Sequence, residues 1–268
     1  MQLATWNVNS LKMCLQHVLD WLAANPVDFL CLQETKLTDD KFPKDEIEAA
    51  GYGVIFTGQP TYNGVVLLYR KEAGYVPDGV QLNNPLHEDV QRRLVSARFQ
   101  TAAGPVRVIG AYFPNGQAVD SEKYVYKLGW IASLQEWIAQ LRREEPDTGV
   151  ILAGDFNIAP ADADVHDPAV WADGILVSGP EWQALQGLLA LGLHDAFRLF
   201  EQLPKLFSWW DYRALGFRRN AGLRIDLILV SDELKPMVGR CWIDKGPRKL
   251  EKPSDHTPVV VEWGAVAT

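Results

Sequence analysis

Short runs of Val, Ile, Leu and aromatic residues recur along the whole chain, and the way they are joined limits the folds open to it. They cover residues 2–8, 28–33, 53–57, 64–69, 93–99, 106–112, 149–154, 225–230 and 258–263, each bounded by Gly, Pro, Asn or similar turn residues, and read as strands. Apolar residues return at spacings of three and four across 11–24 behind Ser10, across 122–143 behind Ser121, and across 180–191, which predicts helices. Some strands are thus separated by helices. Others, such as 53–57 with 64–69 and 93–99 with 106–112, are joined by turn-length loops containing Gly, which impose antiparallel pairs. A doubly wound parallel sheet accommodates those hairpins poorly. The pattern predicts an α/β fold, a four-layer α/β sandwich of two packed mixed β-sheets flanked by helices. With no long Pro- or Gly-rich linker, residues 1–268 read as a single catalytic-size domain.

Of the 268 residues, 47% are hydrophobic and 22% charged, enough apolar side chain to fill such a core and unlike a disordered chain. Cys14, Cys31 and Cys241 are few and odd in number, so free thiols, a reducing compartment and a cytoplasmic location are expected. The opening MQLATWNVNSLK has no basic residue before Lys12, and Asn7, Asn9 and Ser10 interrupt its apolar run, unlike a secretion signal. No apolar stretch is long enough to cross a membrane, so no membrane partner is expected. The net charge of −8 repels polyanions at long range. Phosphate binding must then rest on a cation or a local basic patch. Residues 212–225 carry Arg213, Arg218, Arg219 and Arg224 without an acid, and KGPRKLEK carries Lys245, Arg248, Lys249 and Lys252 against Glu251. On composition alone, such runs read first as a solvated face.

Polar side chains gather where the apolar runs stop. Asn7 follows ATW, Glu34 follows FLCLQ, Asp155 and Asn157 follow ILAG, and Asp255 and His256 precede TPVVVEW. Singly, each is an ordinary turn or capping residue. Asp226 differs because it lies inside the apolar LRIDLIL, where a carboxylate must be paired or bound to a cation. Convergence of these four carboxylates would call for a hard divalent ion, and oxygen ligands with one His favour Mg²⁺ or Mn²⁺ over Zn²⁺. His17, His87, His166 and His194 are too scattered for a tetrahedral zinc site. No GxxxxGK[ST] loop or GxSxG elbow occurs, and GYGVIF lacks the last glycine of GxGxxG. Among enzymes, a metal-assisted hydrolase is the class that remains.

WNVNS (6–10), LQETK (32–36), YNGV (62–65), YFPNG (112–116), KLGW (127–130), GDFNIAP (154–160), SWWDYR (208–213), GLRIDLILVS (222–231) and PSDHTPV (253–259) stand in the order and approximate spacing of one family. From Trp6 to about Val259 the chain resembles the exonuclease III family, the class II apurinic/apyrimidinic endonucleases of the endonuclease/exonuclease/phosphatase superfamily. The resemblance implies a Mg²⁺-dependent phosphodiesterase, with Mn²⁺ as a possible substitute. Its partner would be double-stranded DNA, cut 5′ to abasic sites and trimmed or unblocked at nicked or recessed 3′ ends, by a monomer. Matching positions imply Glu34 as the principal metal ligand, with Asn7 and Asp255 beside it. They imply Asp155 as the residue that activates water, Asn157 as the one that holds its geometry, and Tyr112 and His256 as phosphate contacts. Asp226 would orient His256 and favour its charged form. Trp209, Leu223 and Ile225 match the walls of a pocket for a flipped abasic sugar. Lys12, Tyr62, Asn63, Arg213, Asn220 and Arg224 match contacts to the DNA backbone.

Two stretches depart from the family pattern. Leu11-Lys12-Met13-Cys14 stands where many relatives carry arginines, so contact there is expected to be weaker. Residues 161–180 form a variable loop, and bulk at His166, Trp171 or Leu176 would narrow the abasic pocket and tilt the balance towards 3′-end processing. Competing readings are a phosphatase of the same superfamily, a nonspecific deoxyribonuclease, and an inactive DNA-binding scaffold. SWWDYR followed by GLRID favours the DNA-repair branch, and a competent residue at every expected catalytic position disfavours the scaffold.

Overall fold

Only two strand pairs run parallel among the described residues, and each is joined across a helix. The computed structural model describes residues 1–264. β1 (Gln2–Asn7) leads through α1 (Leu11–Ala24) to its parallel neighbour β2 (Phe29–Gln33). β3 (Tyr52–Thr57) and β4 (Val65–Arg70) follow as a hairpin, and β5 (Asp78–Leu82), β6 (Leu94–Thr101) and β7 (Gly104–Tyr112) as an antiparallel meander. β7 leads through α3 (Glu122–Glu144) to its parallel neighbour β8 (Gly149–Asp155). β9 (Leu193–Asp195), β10 (Asp226–Ser231), β11 (Val238–Ile243) and β12 (Val259–Trp263) complete two six-stranded sheets, ordered β11-β12-β1-β2-β4-β3 and β5-β6-β7-β8-β10-β9. The remaining helices are short: α2 (Lys44–Ala49), α4 (Pro168–Trp171) and α5 (Gly179–Leu189).

Alternation along the strands sends one face of each sheet to the other. Leu3, Phe29, Cys31 and Val261 of the first sheet meet Val95, Val108, Ile151 and Ile228 of the second in a shared core. The outer face of the first sheet is covered by Leu11, Val18, Trp21 and Leu22 of α1, and that of the second by Trp130, Leu134 and Ile138 of α3 with Leu185 and Leu188 of α5. This is the mixed four-layer sandwich expected from the sequence. Burial pushes the Cys31 thiol up to about 12, and all three cysteines are buried and unbonded. No described helix is long and apolar enough to cross a membrane.

The strands read from sequence fall within two residues of those observed, and α1 has the expected bounds. β5, β9 and β11 were not anticipated. All three are sheet edges, where a strand is short or polar because one side has no partner strand. Asp78–Leu82 is largely exposed, and β11 carries Gly239 and Arg240.

The C-terminal ends of β1 and β2 and those of β7 and β8 meet at one rim of the sandwich, with Asn7 opposite Gln33 and Tyr112 opposite Asp155. β10 starts there too, since Asp226 pairs with Asp155. Ser208 Oγ accepts the Ile225 and Asp226 backbone N–H groups, each at 3.1 Å, and so fixes the entry to β10. Ser254 Oγ donates to the Asn7 carbonyl at 2.7 Å and accepts the His256 N–H at 3.1 Å, holding the lead into β12 against β1.

Candidate active site

Asn7 spans the gap between the two sheets. Its Nδ2 donates to Glu34 Oε1 and to Asp155 Oδ2, both at 2.9 Å, and Tyr112 OH donates to the same Glu34 oxygen at 2.9 Å. Glu34 follows β2 with φ 55°, a left-handed conformation that is strained for a non-glycine residue. Asp226 Oδ2 lies 2.8 Å from His256 Nδ1, and His256 Nε2 lies 3.7 Å from Asp155 Oδ2. The latter distance exceeds a hydrogen bond, so the Nε2 proton is free for a third party. Asp155 Oδ1 accepts the Asn157 N–H at 2.9 Å, Asn157 Nδ2 donates to the Phe113 carbonyl at 3.0 Å, and Asn157 Oδ1 accepts Asn115 Nδ2 at 3.0 Å. Asp255 accepts Asn9 Nδ2 at 3.1 Å and Trp209 Nε1 at 3.0 Å.

Electrostatics separates the roles of these groups. Burial, with repulsion from Asp226, raises Asp155 to about 7 despite the attraction of His256. Burial alone would lower His256, but Asp226 and Asp155 raise it to about 10, so the imidazole is a cation at neutral pH. Burial and the neighbouring carboxylates hold the Tyr112 phenol well above its usual range, so it stays a donor. Burial would raise Glu34, yet the Lys36 ammonium, 2.9 Å from Oε2, and Asn7 keep it below the usual carboxylate value.

The donor chemistry fits a divalent cation. Asp155, Asp226 and His256 offer ligand atoms within 4.8 Å of one another, and Asp226 Oδ1 is buried without a partner. Of the acids, Asp155 and Asp226 are buried while Glu34 and Asp255 are half-buried, and the Lys36 ammonium occupies the place a cation would take beside Glu34. His256, being charged and already bonded to Asp226, opposes a metal at its own ring.

The structure brings Asn7, Glu34, Tyr112, Asp155 and Asn157 into one bonded network, sets the bonded pair Asp226–His256 beside it at 3.7 Å from Asp155, and joins Asp255 to it through Asn9 and Lys36. One expected role changes. Asn7 Oδ1 accepts the Asn9 N–H at 2.9 Å and its amide nitrogen faces the carboxylates, so Asn7 organises them here, with one lone pair of Oδ1 left over.

The expected DNA contacts divide sharply. Lys12 and Tyr62 are exposed, and Arg213 is exposed with its guanidinium bonded to Asp211. Asn63 is buried and bonds Gln59 and Gln91, and Asn220 bonds Trp210 Nε1 and the Lys205 carbonyl, so both amides are engaged within the protein. Arg224 is not a DNA contact: it is 0% exposed and clamped by Asp164 and Asp195. The basic face is therefore narrower than the sequence suggests. Arg248 is also withdrawn, stacked 5.5 Å from Tyr212 and 4.9 Å from Phe217, while Lys245 lies 5.6 Å over Trp210. Sequence reasoning did not single out Asn9, Lys36, Arg93, Asn115, Ser208 or Ser254. All but Arg93 lie in quoted motifs, which was the available signal.

Trp209, Leu223 and Ile225 do lie together, but the space between them is occupied. Leu223 and Ile225 are buried with Val165, Leu176 and Val177 of the 161–180 loop. Trp171 meets Trp209 edge to face at 6.4 Å, and His166 meets Trp171 at 6.5 Å. Leu176 takes φ 76°, a strained backbone for a branched side chain, to reach its buried position.

The profile of the endonuclease/exonuclease/phosphatase family matches residues 4–256. Exodeoxyribonuclease III of Haemophilus influenzae is 34% identical over 271 residues, which cover 98% of this chain and all of the relative. The 3′ phosphatase NExo from Neisseria, solved with a product DNA hairpin, superposes with a TM-score of 0.91 at 43% identity, over 98% of this chain and 99% of that one. An AP endonuclease from Archaeoglobus fulgidus superposes with a TM-score of 0.90 at 33% identity, over 98% and 99%.

Proposed function

The chain belongs to the endonuclease/exonuclease/phosphatase family, in its exonuclease III branch, and from that premise we propose a Mg²⁺-dependent DNA-repair phosphodiesterase that works chiefly at 3′ ends. It hydrolyses DNA phosphodiester bonds. Its substrate would be duplex DNA with nicked, recessed or phosphate-blocked 3′ termini, handled by a monomeric single domain over 1–268 in the cytoplasm. Mn²⁺ would substitute for Mg²⁺, as both are hard oxygen-binding ions.

Glu34 would hold the cation, with Asp255 adding negative charge from the far side of Asn9 and Lys36. The ion would supply charge neutralisation at the phosphate oxygens. Asp155, near 7, accepts a proton from water at Oδ2, and Asn157 orients that water. His256 donates its unclaimed Nε2 proton to a phosphate oxygen as a cation, and Asp226 holds the ring and its charge. Tyr112 OH, donated to Glu34 Oε1, would hold that carboxylate in place, and turning away from it would make it a second donor to the phosphate.

The observation that carries the preference for 3′ ends is the filled cluster. Leu176 and Trp171 stand against the three side chains that would otherwise receive an extruded sugar. A second reading, with abasic incision as an equal activity, draws on the likeness to the archaeal AP endonuclease. The two separate on three labelled duplexes, each with Mg²⁺ or EDTA: an internal abasic analogue, a recessed 3′-hydroxyl and a 3′-phosphate at a nick. Mg²⁺-dependent processing of the 3′ ends at least about tenfold faster than abasic incision is expected. Equal rates would establish the second reading, and no cleavage of any duplex would point to a phosphatase for another substrate.

A further inference from the structure

Lys127 opens the KLGW stretch, to which the catalytic reading gives no role, and its ammonium is completely buried in α3. Burial lowers its pKa against the pull of Glu181. Its three N–H donors meet three acceptors: the Asn157 carbonyl at 2.7 Å, the Asn115 carbonyl at 3.2 Å and the Glu181 carboxylate. Two of these acceptors belong to the residues around the attacking water, since Asn115 Nδ2 donates to Asn157 Oδ1 at 3.0 Å. Asn157 itself sits just beyond β8 in the left-handed region, φ 49°, which asparagine adopts more readily than most residues, and its backbone carbonyl meets the Lys127 ammonium. Each polar atom of Asn157 has one partner in the protein, Oδ1 and Nδ2 each keeping a further hydrogen-bonding position, and the partner of its carbonyl is the Lys127 ammonium.

Glu181 carries the same charge pair into the loop. Its carboxylate accepts the Leu176 N–H at 3.1 Å, the Ser178 N–H at 3.0 Å and the Ser178 hydroxyl at 2.7 Å. Leu176 is the side chain that fills the apolar cluster against Leu223 and Ile225.

We propose that Lys127 is a positioning residue: its buried ammonium sets the backbone of Asn157, and therefore the amide that orients the attacking water, and through Glu181 it locks that amide to the loop that closes the sugar pocket. The proposal rests on the reading of Asn157 as the water-orienting group. The rival account is an ordinary buried ion pair that holds α3 to α5.

The test uses the full chain with Mg²⁺ on a nicked duplex bearing a 3′-phosphate. K127M is expected to lower kcat at least about tenfold with KM within about threefold, because a displacement near 1 Å at a reacting group has effects of that order or larger. It is also expected to lower Tm, since Glu181 is left buried and unpaired. K127M/E181Q removes that stranded charge and should regain Tm without regaining kcat. Recovery of kcat together with Tm overturns the proposal and leaves an ordinary ion pair. Should K127M not fold, K127R carries the test: it keeps the charge beside Glu181, but its longer, planar fork does not put its N–H groups where the ammonium meets the Asn157 and Asn115 carbonyls. Lowered kcat is then expected, and unchanged kcat overturns the proposal. N157A is run in parallel. If N157A keeps full kcat, the premise about Asn157 fails and takes the proposal with it. If N157A loses kcat while K127M keeps it, the premise stands and the proposal alone is wrong.

Discussion

Arg224 offers a direct contest between a DNA-binding and a structural reading of one residue. Its guanidinium donates to Asp164 at 2.7 and 3.2 Å and to Asp195 at 2.7 and 3.2 Å, with no exposed surface. Burial alone would lower its pKa, but the two carboxylates hold it above the usual value. R224M keeps the stem and removes the charge, leaving Asp164, itself fully buried, with Arg198 as its remaining cationic partner. Breaking a buried pair from one side costs about 3–5 kcal/mol. For 268 residues the unfolding entropy is about 0.56 kcal/mol/K, so Tm should fall by roughly 5–9 °C. The assay pairs thermal unfolding with anisotropy of a recessed duplex in EDTA between 50 and 200 mM KCl. Had Arg224 touched a phosphate, its loss would flatten the slope of log K against log salt by about one. A Tm within about 2 °C of the parent, with the slope flattened by about one, would refute the structural assignment.

Three further outcomes are expected. E34Q nearly preserves shape but removes the ligand charge, so the Mg²⁺ concentration for half-maximal activity should rise about 10–100-fold; an unchanged Mg²⁺ titration contradicts the metal assignment. D226N removes the main group that raises His256 against burial, so the alkaline limb of kcat should move down from about 10 towards or below the ordinary 6.5, with kcat at pH 8 reduced at least about 10²-fold. The linked stability follows the same sign: a raised histidine contributes fully below its unfolded value and is lost as pH rises through about 10, so D226N should lose more Tm at pH 6 than at pH 10. W171A opens the face of Trp209 and should raise abasic incision relative to 3′-end processing roughly tenfold; an unaltered ratio removes the loop from the specificity argument.

The rim where the candidate site gathers was legible because strands announce their ends, while Tyr112 came from the family resemblance. Asn7, Glu34, Tyr112, Asp155 and His256 each stand at or beside the end of an apolar run, and a rim of strand termini is where a sandwich of this kind can gather side chains from distant segments. Three of the four edge strands gave no such signal, because β5, β9 and β11 have no second neighbour to demand apolar side chains; the fourth, β3, was visible because Val54, Ile55 and Phe56 keep it apolar. The arginines misled for a related reason. Charge is visible in a sequence but its partner is not, and Asp164 lies 60 positions from Arg224. Lys127 was equally opaque, since Glu181 is 54 positions away and a lysine on a helix ordinarily points to water.

The Asn7 bridge has a consequence for how activity arises during folding. Glu34 comes with one sheet and Asp155 with the other, and one amide joins them. Neither half of the chain can assemble a working centre by itself. If Glu34 and Asp155 act as proposed, a chain with either sheet formed but the two not yet docked would be chemically silent. The inter-sheet seam would then work as a safety interlock, since the docking that joins Glu34 to Asp155 also brings Trp209 against Asp255 at the same rim.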